Sequence, residues 1–224
     1  MIDLYTIALN HRELGSPSHW DWLSEAEQQR ARQFHIPQLT QRYVVSHAAL
    51  RLVLGRHTGR HPSEIYFQTN AWGRPEINGG PHFSLTHSDS IAVIAVSISV
   101  PIGVDVEDIS TKIDIDILRG IMSTEEIRRL DSSDPQGDAL LRLWTRKEAI
   151  LKAFGRGLSY DARQLTVGFD PAKFNFWRHV ALREGNKTLD FILTDVCISE
   201  RVTAAVALSG RSTDAAVTVR SVEI

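Results

Sequence analysis

The chain has 224 residues, with 25 lysines and arginines against 27 acids, 42% hydrophobic residues and a formal net charge of −2. A chain of this length buries roughly 70% of the surface its unfolded form exposes, so its core needs no metal or disulfide staples, and near-neutral charge excludes a nucleic-acid coat, which needs surplus cations against phosphate. One cysteine, Cys197, excludes an internal disulfide; with no apolar run of membrane-spanning length and no signal-like leader, a soluble cytoplasmic chain with no membrane partner is expected.

Residues Ile2 to Leu9 read as a strand, and Gly15-Ser16-Pro17 breaks the chain before a helix that Ser24 caps, with Glu27 at capping-box spacing. A second helix is predicted over Gln38 to Leu54, where Tyr43, Val44, His47, Leu50 and Leu54 recur at helical spacing, with Gly55 as its stop. Asn78-Gly79-Gly80-Pro81 is a turn; two β-rich runs from His82 to Ser97 flank Ser88-Asp89-Ser90 as a hairpin, and Ile102 to Glu107 alternates as a strand. Ser123 and Glu126 form a second capping box, Ser132 to Gly137 is a polar break, and a helix runs from about Asp138 to Phe154, stopped by Gly155. Strand-like runs at Phe191 to Ile198 and Val202 to Leu208 turn at Ser199-Glu200-Arg201. Cys197 is expected as a packed thiol in its apolar run, and Trp20, Trp22 and Trp177 as core or partner-surface residues.

The second half repeats the order of the first. A shift of 100 residues superimposes Arg42 on Arg142, Ala49 on Ala149, Gly55 on Gly155 and Arg56 on Arg156, while the capping boxes align at a shift of 99. The run ending IAVIAVS at Ser97 has a counterpart, VTAAVALS, ending at Ser209. The predicted fold class is therefore α+β: two similar halves related by a pseudo-twofold, with the interface between them a favoured place for a ligand cleft.

Strand alternation puts Asp105 and Glu107 on one face, with Val104 and Val106 on the other. Two like charges about 4 Å apart repel by about 4 kcal/mol at an effective dielectric near 20, so the pair is either a solvated strand edge or is offset by a cation. Oxygen-only ligands suit Mg²⁺ better than zinc. Trp144, Glu148 and Lys152 stand at i, i+4 and i+8, one stripe of a helix that adds a third acid and an ammonium; read alone, it is an ordinary Glu-Lys pair beside a core tryptophan. In Phe83-Ser84-Leu85-Thr86-His87-Ser88 an apolar strand ends in hydroxyls and an imidazole, where His87 is a phosphate donor or a plain turn histidine. Arg74, in Trp72-Gly73-Arg74-Pro75, and Arg30, Arg32 and Arg42 are further phosphate candidates. The chain has no G-x-G-x-x-G, no P-loop, no H-E-x-x-H and no nucleophile elbow.

The ordered series W-G-R-P at 72 to 75, F-S-L-T-H-S at 83 to 88, G-V-D-V-E at 103 to 107 and W-T-R-K-E-A-I-L-K at 144 to 152 resembles the Sfp-type 4′-phosphopantetheinyl transferases, in the subgroup labelled W/KEA. The resemblance spans about Arg30 to Leu158. It implies an enzyme of the holo-acyl-carrier-protein synthase type, which moves the phosphopantetheine arm of coenzyme A onto a serine of an apo acyl or peptidyl carrier protein and releases adenosine 3′,5′-bisphosphate. By the same resemblance Asp105, Glu107 and Glu148 hold Mg²⁺, with Mn²⁺ as a second choice; Glu148 assists deprotonation of the serine and Lys152 stabilises the departing phosphate. Thr86 and His87 contact phosphates, and Arg74, Arg42 and Arg30 lie near the nucleotide. Residues 1–102 then form the nucleotide side of the site and 103–224 carry the acids and the catalytic helix, in a monomer that serves a biosynthetic pathway.

The chain departs from many relatives in having Ser84-Leu85-Thr86-His87 where they carry Asn-[IL]-Ser-His, Gly120-Ile121-Met122-Ser123 where they carry R-F-F-S near the carrier-docking surface, and Glu27 where some have lysine. Two other functions use the same residues: a Mg²⁺-dependent phosphoryl or nucleotidyl transferase acting on ATP, and a non-catalytic module that binds coenzyme A or a carrier protein.

Overall fold

Alternating apolar side chains along the strands build two four-stranded sheets, and each sheet takes one long helix on its outer face. The computed structural model describes residues 2–9, 17–133, 138–213 and 215–223. Along the first half run β1 (Ile2–Ala8), α1 (Pro17–Trp22), α2 (Glu25–Arg32), α3 (Pro37–Thr58), β2 (Gln68–Thr69), β3 (Pro75–Glu76), β4 (His82–His87) and β5 (Ile91–Ser97). The second half has β6 (Ile102–Asp108), α4 (Ile115–Ile121), α5 (Thr124–Ser132), α6 (Ala139–Phe154), β7 (Arg178–Glu184), β8 (Lys187–Asp195), β9 (Val202–Ser209) and β10 (Val217–Ser221). Gly15 and Ser16 of the expected first break, and 134–137 of the second, lie outside the described residues.

The strand orders are β10-β1-β5-β4 and β6-β9-β8-β7. The antiparallel triplet β1-β5-β4 is repeated by β6-β9-β8, which makes the α+β fold a duplication. β10 leaves the second half and pairs parallel with β1. Among the described residues no helix is long and apolar enough to cross a membrane.

The duplication extends to buried ion pairs, and these correct the register read from the sequence. Both capping boxes form. Glu27 turns inward to Arg51 (2.7 Å), whose Nη1 donates to the carbonyls of Pro62 and Ile65. In the second half Glu126 meets Lys147 (2.8 Å), whose ammonium donates to the carbonyls of Ala162 and Leu165. Arg51 thus corresponds to Lys147, a shift of 96, so the matches at 100 within the helices join positions that are not equivalent. The helix ends agree: α3 runs past Gly55 to a left-handed cap at Gly59 (φ 69°), the counterpart of Gly155 (φ 80°). Gly55 lies inside the helix, and it is glycine for packing rather than as a stop: a Cβ there would stand 2.6 Å from the Arg60 carbonyl oxygen.

Three cores follow from the strand alternation. Tyr5, Ile7, Ile94 and Val96 face α3 through Val45, Ala49 and Val53. Phe191, Leu193, Ala205 and Ala207 face α6 through Leu143, Ile150 and Ala153. Ile2, Leu4, Val93 and Ala95 of one sheet meet Val104, Val106, Val206 and Leu208 of the other in a core that belongs to both halves. Cys197 is exposed, contrary to the packed thiol expected, because β8 ends at Asp195 and the cysteine falls in the turn that follows.

Candidate active site

The edge strands β4 and β6 belong to different sheets yet lie side by side along the seam of the two halves. Ser84 Oγ accepts from the Val104 N–H (3.2 Å), and Thr86 Oγ1 donates to Asp105 Oδ1 (2.9 Å). Above this floor opens a cleft of about 1040 Å³, lined by α3 on one side and α6 on the other. α6 comes close because Gly103 has no side chain: a Cβ there would lie 2.0 Å from the Ala149 carbonyl oxygen. Gly103, Asp105 and Glu107 share the strand face turned to that helix.

The structure brings Asp105, Glu107, Glu148, Lys152, Thr86 and His87 together in this cleft. Asp105 is 5% exposed; its Oδ1 accepts from Lys152 Nζ (2.6 Å) as well as from Thr86, and its Oδ2 is buried without a hydrogen-bond partner. Lys152 Nζ also donates to the Val104 carbonyl (3.3 Å). Burial, the Asp105 charge and the Glu148 charge push Glu107 up to about 7, against Lys152 and a hydrogen bond from the Trp144 side chain. Burial and the Asp105 charge raise Glu148 as well. His87 is exposed at the mouth of the cleft; desolvation by surrounding protein, then the Lys152 charge, lower its pKa and favour the neutral imidazole.

Among the described residues no three histidine, cysteine or acidic side chains converge tightly enough to form a ready metal cage. The donor set nonetheless fits a hard cation: three carboxylates within electrostatic reach, one oxygen orphaned in the interior, and two acids pushed towards their neutral forms by burial and by neighbouring carboxylates.

The arginines singled out as phosphate candidates have other partners. Arg30 is exposed, bonded to Gln33 (3.0 Å), and Arg42 pairs with the exposed Asp89 (2.8 Å); neither lines the cleft. Arg74 does line it, but Nη1 and Nη2 are spent on four backbone carbonyls. Thr86 gives its only proton to Asp105. Glu27, where some relatives carry lysine, is the partner of Arg51.

Sequence reasoning passed over one wall of the cleft. Tyr43, His47 and Arg51 stand at i, i+4 and i+8 on α3, a polar and aromatic stripe beside the buried face of the helix, and all three line the cleft with Tyr66 and Phe67. His47 stacks on Tyr43 (centroids 3.8 Å apart), and its Nδ1 lies 2.9 Å from the Tyr43 carbonyl. That stripe was the available signal. Trp72 continues the wall, with the Arg156 guanidinium 4.3 Å over its ring.

A duplicated α+β chain with an acid-lined seam is the architecture met here, and comparison with known proteins gives it a family. The family model of the 4′-phosphopantetheinyl transferase superfamily matches residues 101–218, a span that holds Asp105, Glu107, Glu148 and Lys152. The chain is 30% identical over 180 residues to the 4′-phosphopantetheinyl transferase HetI of Nostoc sp., covering 77% of this chain and 76% of that one. It is 30% identical over 150 residues to 4′-phosphopantetheinyl transferase Sfp of Bacillus subtilis, covering 65% and 66%, and 38% identical over 100 residues to 4′-phosphopantetheinyl transferase gsp of Aneurinibacillus migulanus, covering 43% and 41%. The chain belongs to the 4′-phosphopantetheinyl transferase superfamily, whose members are transferases that modify carrier proteins.

Proposed function

We propose that the seam cleft binds coenzyme A and transfers its phosphopantetheine arm to a serine hydroxyl of an apo acyl or peptidyl carrier protein, as a holo-acyl-carrier-protein synthase does. The serine oxygen forms a new bond to the phosphorus that bears the pantetheine, the pyrophosphate P–O bond breaks, and adenosine 3′,5′-bisphosphate leaves. The observation that carries this reading is the grouping of Asp105, Glu107 and Glu148 around one ammonium, with the Asp105 Oδ2 unpartnered, in a cleft of about 1040 Å³. Asp105, Glu107 and Glu148 would hold Mg²⁺, with Mn²⁺ as a second choice, and the ion would supply positive charge to phosphoryl oxygens on which negative charge grows.

In this reading Glu148 assists deprotonation of the carrier serine, directly or through water, from its place in the cleft beside Asp105 and Lys152. Lys152, whose ammonium is held at Asp105, would stabilise the departing phosphate. Neutral His87, at the mouth beside Thr86, donates a hydrogen bond to a phosphate oxygen. Both walls of the cleft come from one chain, so a monomer suffices. Glu148→Gln tests the assignment: it should abolish transfer and leave coenzyme A binding in place. Retained transfer would remove Glu148 as the base, and displacement of coenzyme A by equimolar ATP would favour a nucleotidyl substrate.

A further inference from the structure

The turn from Asn70 to Arg74 belongs to the first half, yet its polar groups end on the second. Arg74 Nη1 donates to the carbonyl oxygens of Lys152 (2.7 Å) and Ala153 (3.1 Å), and Nη2 donates to those of Phe83 (3.1 Å) and Ile102 (2.9 Å). All four terminal N–H groups of the fork are used, and only Nε–H is left. Asn70 Nδ2 donates to the Gly155 carbonyl (3.0 Å), while its Oδ1 accepts from the N–H groups of Trp72 (2.9 Å) and Arg74 (3.0 Å) and holds the turn in shape.

The carbonyls of Lys152 and Ala153 lie in the last turn of α6, where they have no acceptor role within the helix, and a cation there faces the negative end of the helix dipole. The other two carbonyls belong to β4 and β6, the strands that floor the cleft. One planar fork therefore ties three elements together at their point of closest approach. The packing leaves no slack: a Cβ on Gly155 would meet Arg74 Cδ at 3.2 Å.

We infer that Arg74 is a positioning residue: with Asn70 it caps the end of α6 from the opposite half and fixes the last turn of that helix against β6, which sets Lys152 Nζ at Asp105. This differs from the nucleotide contact that family resemblance implies for Arg74. Its kinetic consequence rests on the proposed transfer; its structural consequence does not.

Arg74→Lys keeps the charge and loses the fork, since one ammonium cannot reach four carbonyls arranged around a plane. In the full-length chain, with coenzyme A and an apo carrier protein, this variant should lower kcat by about ten- to a hundredfold at a nearly unchanged KM for coenzyme A, the signature of a misplaced reacting group. Asn70→Ala, at a position that does not line the cleft, should lower kcat in the same way, and the double variant should lose less than the product of the two. Amide hydrogen exchange at residues 152–155 should speed up in both variants, with the amides of α3 unchanged. A KM for coenzyme A that rises in Arg74→Lys as much as kcat falls, with Asn70→Ala at wild-type rates, would overturn the inference, as would unaltered exchange at 152–155. If the wild-type chain transfers nothing, the reading of the cleft fails and exchange alone decides the clamp.

Discussion

Glu107 sits in the fields of two other acids, and burial adds to the penalty on its charge, so that its pKa rises to about 7. In the ligand-free chain this raised value makes folding progressively less favourable as pH climbs from the ordinary glutamate range through about 7, because the folded state holds a proton that the unfolded state has released. If, as proposed, Asp105, Glu107 and Glu148 hold a divalent cation, its charge would offset the penalty and displace that proton. Affinity for Mg²⁺ or Mn²⁺ should therefore rise about tenfold per pH unit up to about pH 7 and level off above it. Calorimetric titration with Mn²⁺ at pH 6, 7 and 8 measures this, and an affinity indifferent to pH would remove Glu107 from the ligand set. At this scale the sequence was informative where chemistry follows from short-range periodicity: Asp105 with Glu107, and Glu148 with Lys152, are visible as strand and helix spacings. It offered Arg74 only as a phosphate candidate and could not reveal its four carbonyl acceptors, which come from three elements, nor the orphaned Asp105 oxygen, which depends on what packs around it.

Elements are held at their working distance by what certain positions lack. Gly103 is the clearest case, because a methyl group there would stand 2.0 Å from the Ala149 carbonyl oxygen and 2.4 Å from the Ala153 nitrogen, both backbone atoms that cannot swing aside. Gly103→Ala should thus push α6 away from β6 and destabilise the fold by about 3 kcal/mol. Urea unfolding would show it; a loss below about 1 kcal/mol would mean that helix and strand are less tightly apposed than described. The helices also show where local signals mislead. Gly55 and Gly155 look alike in sequence, but the first is a close-packed interior position, with the carbonyl of Arg60 pressed against it, and the second a left-handed cap. α4 escaped notice because seven residues give too short a periodic run, and Cys197 looked buried because its apolar neighbours continue past the end of the strand.

The molecule as a whole is two copies of one unit that cannot be pulled apart without cost. Ile2, Leu4, Val93 and Ala95 of the first sheet are covered by strands of the second, and β10 crosses back to pair with β1. Each half alone would expose this shared core to water, at about 25 cal/mol for every Å² of apolar surface. Unfolding in urea should accordingly be a single transition, with circular dichroism and tryptophan fluorescence coincident, since Trp20 and Trp22 report the first half and Trp144 and Trp177 the second. Two separated transitions would contradict the shared core. Repetition of elements was legible in the sequence because the capping boxes and the final strands of each half carry it; the true helix register was not, because three fewer residues separate Glu126 from Lys147 than Glu27 from Arg51, a change of register that coincidental repeats of arginine, alanine and glycine at 100 concealed.

The same duplication gives the cleft its two walls, so the central claim is one of chemistry at a seam. Intact-mass spectrometry of an apo carrier protein incubated with this chain and coenzyme A, with Mg²⁺ and then with EDTA, addresses it most directly. The arrangement of Asp105, Glu107, Glu148 and Lys152 predicts a gain of one phosphopantetheine mass that EDTA prevents. An unmodified carrier in the presence of Mg²⁺, across acyl and peptidyl carrier types, would contradict it.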